Sequence, residues 1–127
     1  MDETLSVLVV DDYLPLAKSL AEILHLFGFE VKTANSGAEA LRVLRAHPVD
    51  ILLTDVMMPD MNGVELYRET KKILPSLTAI LMTGYAADDL LQQGLKEGIK
   101  TVLDKPVDIN YLFTLFSTIK GSKSIAG

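Results

Sequence analysis

Leu5-Ser6-Val7-Leu8-Val9-Val10-Asp11-Asp12 decides the fold: six residues that are almost wholly apolar, then an abrupt acidic pair. A strand apolar on both faces belongs to a parallel sheet covered by helices on each side. Two further runs of this kind follow, Ile51-Leu52-Leu53 and Thr78-Ala79-Ile80-Leu81-Met82. Glu30-Val31-Lys32-Thr33-Ala34 and Thr101-Val102-Leu103 are weaker strands that complete a set of five. Helical spacing fills the gaps between them. Leu14, Ala17, Ala21 and Leu24 share one face, and Gly28 is placed to stop that helix. Ser36-Gly37-Ala38-Glu39 has capping-box spacing and opens a helix through about Ala46. Asn62-Gly63-Val64-Glu65 opens another, which ends before Pro75. A fourth helix spans roughly Ala87 to Glu97; with Gly94 inside it and Gly98 after it, it is expected to be the least stable of the five. The last has Ile109, Leu112, Phe113, Phe116 and Ile119 at helical spacing. Strand and helix alternate five times, which predicts a doubly wound α/β sandwich.

The 127 residues suit one domain. Residues 1–120 are expected to form it, with 121–127 a tail or the start of a linker, since the stretch from Lys120 to Gly127 has no pattern. Hydrophobic residues make up 49% of the chain, a globular share. No cysteine is present, which removes disulfides, thiol nucleophiles and thiolate metal sites. His25 and His47 are far apart in sequence, and a zinc site made from them alone is not expected. The net charge of −5, without a basic run beyond Lys71-Lys72, disfavours direct nucleic-acid binding. No apolar run is long enough to cross a bilayer, and the start lacks the order of a signal peptide, so a cytoplasmic protein without membrane contact is expected. Met1 is a natural-looking start, so any missing part of a longer chain is expected after Gly127.

In open α/β sheets, ligands bind beyond the carboxyl ends of the strands. Asp11 and Asp12 follow the first strand, Asp55 the third, Thr83 the fourth, and Lys105-Pro106 the fifth. The order of strands remains open at this point. In the order 2-1-3-4-5, the first and third strands are neighbours, and Asp11, Asp12 and Asp55 converge with Thr83 and Lys105 beside them. Three carboxylates so close repel, and a divalent cation resolves the conflict. Magnesium takes hard oxygen ligands. Asp55 could then hold the cation with one oxygen and attack phosphorus with the other. The cation and Lys105 would offset charge on the transferring phosphoryl oxygens. Each residue also has a plainer role: Asp12 as the cap of the first helix, Asp55 as a loop carboxylate, Thr83 as a turn residue before Gly84, and Lys105 as a solvated lysine. Their shared placement at one sheet edge favours the site.

From Leu5 to about Lys120, the chain resembles the receiver domain of two-component response regulators. Asp11-Asp12 is similar to the acidic metal-binding pair, and Thr54-Asp55-Val56-Met57-Met58-Pro59-Asp60-Met61-Asn62-Gly63 to the phosphoacceptor loop. The resemblance implies the flavodoxin-like three-layer sandwich of five strand-helix units, with strand order 2-1-3-4-5. It implies that Asp55 accepts a phosphoryl group, and that Mg2+ is held by Asp11, Asp12, Asp55 and the backbone carbonyl of Met57. Thr83 corresponds to the hydroxyl that contacts the phosphoryl group and Lys105 to the lysine that pairs with it, its bond to Pro106 being cis. The partner implied is a sensor histidine kinase or a phosphotransfer protein, and the chain is a phosphoryl acceptor and not an enzyme.

Val102 departs from the family, which often carries Tyr or Phe three residues before the lysine as a rotameric switch. Tyr85 is a candidate to act in signalling or to shield the phosphoryl group, against the plainer role of a loop aromatic. An apolar Met57 and bulky Tyr85 position no attacking water, so slow loss of the phosphoryl group is expected. The changed surface is expected on the fourth helix, fifth strand and fifth helix, with that face a candidate homodimer contact through Tyr111 and Leu115. Three rival functions fit the residues less well. An aspartyl-phosphate hydrolase or mutase would want Asp-x-Asp after the first strand, where Asp11-Asp12-Tyr13 stands. A nucleotide or flavin binder would want a Gly-rich loop, and neither phosphate-cradling motif is present. A degenerate receiver acting as a phosphorylation-independent interaction module is opposed by the full acidic set with Thr83 and Lys105. A receiver at the front of a longer DNA-binding regulator is compatible with the same residues.

Overall fold

The computed structural model describes residues 4–84 and 88–126. The elements run β1 (Ser6–Val10), α1 (Leu14–Leu26), β2 (Glu30–Ala34), α2 (Gly37–Ala46), β3 (Ile51–Asp55), α3 (Gly63–Ile73), β4 (Thr78–Thr83), α4 (Asp88–Glu97), β5 (Thr101–Asp104) and α5 (Ile109–Ala126). All strand pairs are parallel, in the order β2-β1-β3-β4-β5. The doubly wound five-stranded sheet is therefore observed, with β1 beside β3.

Alternation along each strand builds two cores. Leu8, Val10, Leu52, Ala79 and Leu81 face one side and pack with Ala40, Leu44, Val64, Leu66 and Leu91 of α2, α3 and α4. Val7, Val9, Ile51, Leu53, Ile80 and Met82 face the other and pack with α1 and α5. Both faces of the central strands are covered, hence their continuous apolar character. β2 is an edge strand, and its outer residues Glu30 and Lys32 face solvent, hence its weaker pattern.

Strands β3, β4 and β5 run farther than their apolar runs. Asp55 pairs in register with Met82, and Thr83 with Asp104, so polar residues close the ladders. Asp55 is thus the last residue of a strand and not a loop residue.

α1 begins after Tyr13, which caps without a side-chain bond, so Asp12 is not the helix cap. Gly28 follows its end at φ +96°. α3 has the full capping box: the Asn62 side chain accepts from Glu65 N, and Glu65 accepts from Asn62 N. In α2 the Ser36 hydroxyl accepts from Glu39 N, but the Glu39 carboxylate accepts from Asn35 N, one residue farther out.

Two expectations about α5 are corrected. Phe113 is not part of the inward stripe; it is 39% exposed, with its ring 4.8 Å from that of Phe27. Leu115, expected to face outward, packs partly against the core, while Tyr111 is exposed as expected. Helical spacing could not settle these, because the apolar neighbours come from the distant loop carrying Phe27 and Phe29. Gly94 of α4 is buried, and a Cβ there would crowd Ile99 and Val64. Beyond Lys120 the backbone continues as helix to Ala126, where no tail pattern had suggested one; no proline stops it, and Gly121 costs only about 1 kcal/mol. Tyr85 and Ala87 lie outside the described residues.

Phe116 is fully buried, with an edge-to-face contact to Phe29. Phe116→Ala is expected to cost about 3–5 kcal/mol. Phe113→Ala, removing a half-exposed ring, is expected to cost about 1 kcal/mol. Chemical denaturation of the two variants measures the difference; equal costs would contradict the burial described.

Candidate functional site

The carboxyl ends of β1 and β3 lie side by side because Val10 pairs with Thr54. One residue farther on each strand come Asp11 and Asp55, both buried, and Asp12, exposed beside them. A carboxylate oxygen from each of Asp11, Asp12 and Asp55 lies within 4.8 Å of the other two. Among the described residues this is the one group of three acids or histidines so arranged. His25 and His47, distant in sequence, line one surface groove, but among the described residues they form no three-ligand group.

Lys105 sits against the cluster. Its Nζ lies 2.7 Å from Asp11 Oδ2 and 3.2 Å from Asp55 Oδ2. The backbone fixes it there: Lys105 N donates to the Thr83 carbonyl at 2.8 Å, tying the ends of β4 and β5. Lys105-Pro106 is cis. Thr83 is buried at the end of β4, on the same edge. Asp11 Oδ1 accepts from Tyr13 N at 2.9 Å, which orients that carboxylate from the start of α1.

The electrostatics follow from this crowding. Burial, then the charge of Asp11, push the Asp55 carboxyl above its ordinary range, and the hydrogen bond from Lys105 only partly offsets them. For Lys105, burial opposes the charge, but the hydrogen bond and charge of Asp11, followed by those of Asp55, outweigh it and hold the ammonium above its usual range. One ammonium serves two buried carboxylates, so negative charge remains. Three hard oxygen donors around this excess suit a divalent cation.

The expected site residues are therefore brought together: Asp11, Asp12, Asp55 and Lys105 in one cluster, with Thr83 at the adjoining strand end. Met57 is 49% exposed in the loop after β3. Val102 pairs with Leu81 and packs partly against the core on the α2, α3 and α4 side of the sheet. Tyr85, named above as a candidate at the mouth, is outside the described residues.

Two supporting residues were not singled out by sequence reasoning. Thr54, fully buried, donates its hydroxyl to the Asp55 carbonyl at 3.0 Å. Gly63 begins α3 directly against the same peptide: Gly63 N donates to the Val56 carbonyl at 2.8 Å, and a Cβ at Gly63 would lie 2.5 Å from Asp55 O and 3.1 Å from Val56 Cα. Only a residue without a side chain permits this approach. A glycine at the first position of a helix was the available signal. Gly37 starts α2 in the same way, but a Cβ there meets the flexible Met61 side chain instead.

A family model described as the response regulator receiver domain matches residues 7–117. A response regulator receiver protein of Anaeromyxobacter sp. (strain Fw109-5) is 44% identical over 108 residues, covering 85% of this chain and 45% of the relative. The transcriptional regulatory protein ZraR of Klebsiella oxytoca is 36% identical over 110 residues, covering 87% of this chain and 25% of the relative. The chain thus spans less than half the length of these relatives. Among solved structures, a response regulator receiver domain protein from Clostridium thermocellum superposes with a TM-score of 0.89 at 31% identity, over 97% of this chain and 99% of that one.

Two outcomes are expected from the site geometry. Gly63→Ala lowers divalent-cation affinity of the folded protein by about tenfold, and Gly37→Ala leaves it nearly unchanged; calorimetric titration distinguishes them, and equal effects would contradict the positioning role of Gly63. In cation-free solution, Asp55→Asn stabilises the fold at neutral pH. The raised folded pKa means the native state holds this proton more tightly than the unfolded chain, so stability falls as pH rises through that range. The advantage of Asn is therefore largest at neutral pH and vanishes in acid, as thermal melts across pH should show.

Proposed function

The chain belongs to the response regulator receiver family of two-component signalling, and from that premise we propose that Asp55 is its phosphoacceptor and Mg2+ its cofactor. The observation that carries this reading is the convergence of Asp11, Asp12 and Asp55 with Lys105 at 2.7 and 3.2 Å. Receivers of this family exchange signals with histidine kinases and phosphotransfer proteins, and the donor proposed here is a phosphohistidine on such a partner.

One Asp55 carboxylate oxygen attacks phosphorus. The new O–P bond forms as the P–N bond breaks, and the departing imidazole takes up a proton. The Lys105 ammonium, already within reach of Asp55, offsets charge on the phosphoryl oxygens. Thr83 supplies a hydroxyl for one of those oxygens once the group is in place. Asp11, Asp12, Asp55 and the Met57 carbonyl are the residues that would hold Mg2+, whose role is to neutralise charge on the transferring group. Tyr13 N and the Thr54 hydroxyl keep Asp11 and the Asp55 backbone in place throughout.

On this reading the chain is a phosphoryl acceptor rather than an enzyme acting on a separate substrate. Its output leaves through α4, β5 and α5, whose exposed Tyr111 is a candidate contact for a second copy or another partner. The net charge of −5 supports a protein partner over direct nucleic-acid contact. Among the described residues no helix is long and apolar enough to cross a membrane; membership of the receiver family supports a site of action in the cytoplasm. The apolar, half-exposed Met57 positions no water, which supports slow hydrolysis of the acyl phosphate.

Incubation with a small acyl-phosphate donor and Mg2+ is expected to add one phosphoryl group per chain by intact mass. Asp55→Asn is expected to add none, and Lys105→Ala to slow labelling by at least about tenfold. Equal labelling of Asp55→Asn, or labelling indifferent to Mg2+, would overturn the proposal. Loss of the label within seconds would overturn the slow-hydrolysis part alone.

A further inference from the structure

Positive charge is unevenly placed on this chain. Of its 12 lysines and arginines, Arg68, Lys71, Lys72, Lys96 and Lys100 fall in two short segments, 68–72 and 96–100. The same segments hold only Glu69 and Glu97 as acids. Positive charge is therefore in excess there, on a chain of net charge −5. The fold brings the segments together. The last turns of α3 and α4 both lie at the amino edge of the parallel sheet. Arg68 Nε and Nη2 each donate to a Glu97 carboxylate oxygen at 2.8 Å, and the Tyr67 hydroxyl donates to the Glu97 carbonyl at 2.9 Å. Lys100 N donates to the Ala79 carbonyl at 2.9 Å, which fixes the residue before β5 beside β4.

Both acids are already engaged. Glu97 is bound to Arg68, and Glu69 lies 2.9 Å from Lys72 Nζ. Lys71, Lys96 and Lys100 are exposed, and among the described residues none of them meets a carboxylate at ion-pair distance. Lys71 Nζ has neutral oxygens instead: the Tyr67 hydroxyl at 2.9 Å and the Glu97 carbonyl at 3.4 Å. Gly98 leaves that ammonium uncovered. It has φ +116°, and a Cβ on it would lie 3.0 Å from Lys71 Nζ. Among these groups is a hollow of about 350 Å3, lined by Tyr67, Arg68, Lys71, Lys72 and Glu97, and its wall is mostly carbon. Long cationic side chains present apolar stems in this way while their heads stay in water.

A cation at a helix end complements the dipole. That accounts for Lys71 at the Glu97 carbonyl, but Lys100 lies beyond the helix. Clustered charge of one sign raises the local concentration of oppositely charged partners. A long polyanion such as DNA would also run past the acidic remainder of the chain and be repelled by it. A short acidic segment need only match the local excess, and an apolar side chain on it would fill the hollow.

We propose that the last turns of α3 and α4, with Lys71, Lys96 and Lys100 around Gly98, form a docking surface for an acidic segment of a partner protein. The surface lies at the sheet edge opposite Asp55, so it stays open while Asp55 meets its phosphoryl donor. The inference stands apart from the phosphoacceptor reading.

The test titrates the full 127-residue chain with a blocked peptide of sequence Glu-Asp-Phe-Glu-Asp, followed by amide chemical shifts. Saturable shifts are expected in 67–72 and 96–100 together, equally in Asp55→Asn, and weakening as salt is added. The double variant Lys96→Gln, Lys100→Gln is expected to bind about threefold to tenfold more weakly, while Lys96→Arg, Lys100→Arg keeps its affinity. Labelling of Asp55 by a small acyl-phosphate donor is expected to be unchanged in both. Absence of shifts in the two segments would overturn the proposal. So would equal binding of the neutral peptide Gln-Asn-Phe-Gln-Asn, or unweakened binding by the glutamine variant. A short DNA duplex that shifts the same amides at lower concentration would overturn the choice of a protein partner.

Discussion

Two buried carboxylates, Asp11 and Asp55, share the single ammonium of Lys105. That imbalance is the constraint on which the site depends. Like charges held together in a partly dry environment raise the free energy of the ionised state. A cation or a change in bonding at Asp55 can relieve it. The structure holds the conflict in place by long-range means: β1 lies beside β3, and Lys105 is delivered from β5 with its amide bound to the end of β4. No local segment could bring these groups together, since Lys105 and Asp11 are 94 residues apart in sequence.

Positioning then depends on how the strands end. Asp55 and Thr83 remain within paired strands, so their backbones are fixed by the sheet. The first turn of α3 sits against the Asp55 peptide through Gly63, and the buried Thr54 hydroxyl satisfies the Asp55 carbonyl. The Asn62–Glu65 capping box begins α3 at that point. The Asp55 backbone is held by a strand on one side and a helix start on the other, while its carboxylate is paired with Lys105.

Much of this was legible in the sequence, for definite reasons. Strands buried on both faces are continuous apolar runs, and acids following such runs must emerge at one sheet edge. The cap pairs Ser36–Glu39 and Asn62–Glu65 marked two helix starts. Strand order was not derivable from pattern and came from the family resemblance. Strand ends were placed too early because ladder bonds are indifferent to side-chain polarity. Phe113 was misplaced because helical spacing does not reveal that Phe27 lies beside it. The closeness of Ile99 and Val64 to Gly94 was not legible, because helix propensity says nothing of what packs against the backbone. The Arg68–Glu97 pair, 29 residues apart, left no local signal.

Helix α4 follows the strand that carries Thr83, and its last turn is bound to α3 by Tyr67, Arg68 and Lys71. The central claim is that the excess charge at β1 and β3 makes Asp55 the reactive group. The most direct measurement is borohydride reduction of the phosphorylated chain followed by peptide sequencing by mass spectrometry, which converts an aspartyl phosphate to homoserine. The account predicts homoserine at position 55 and at no other aspartate; homoserine at position 11 or 12, or none, would contradict it.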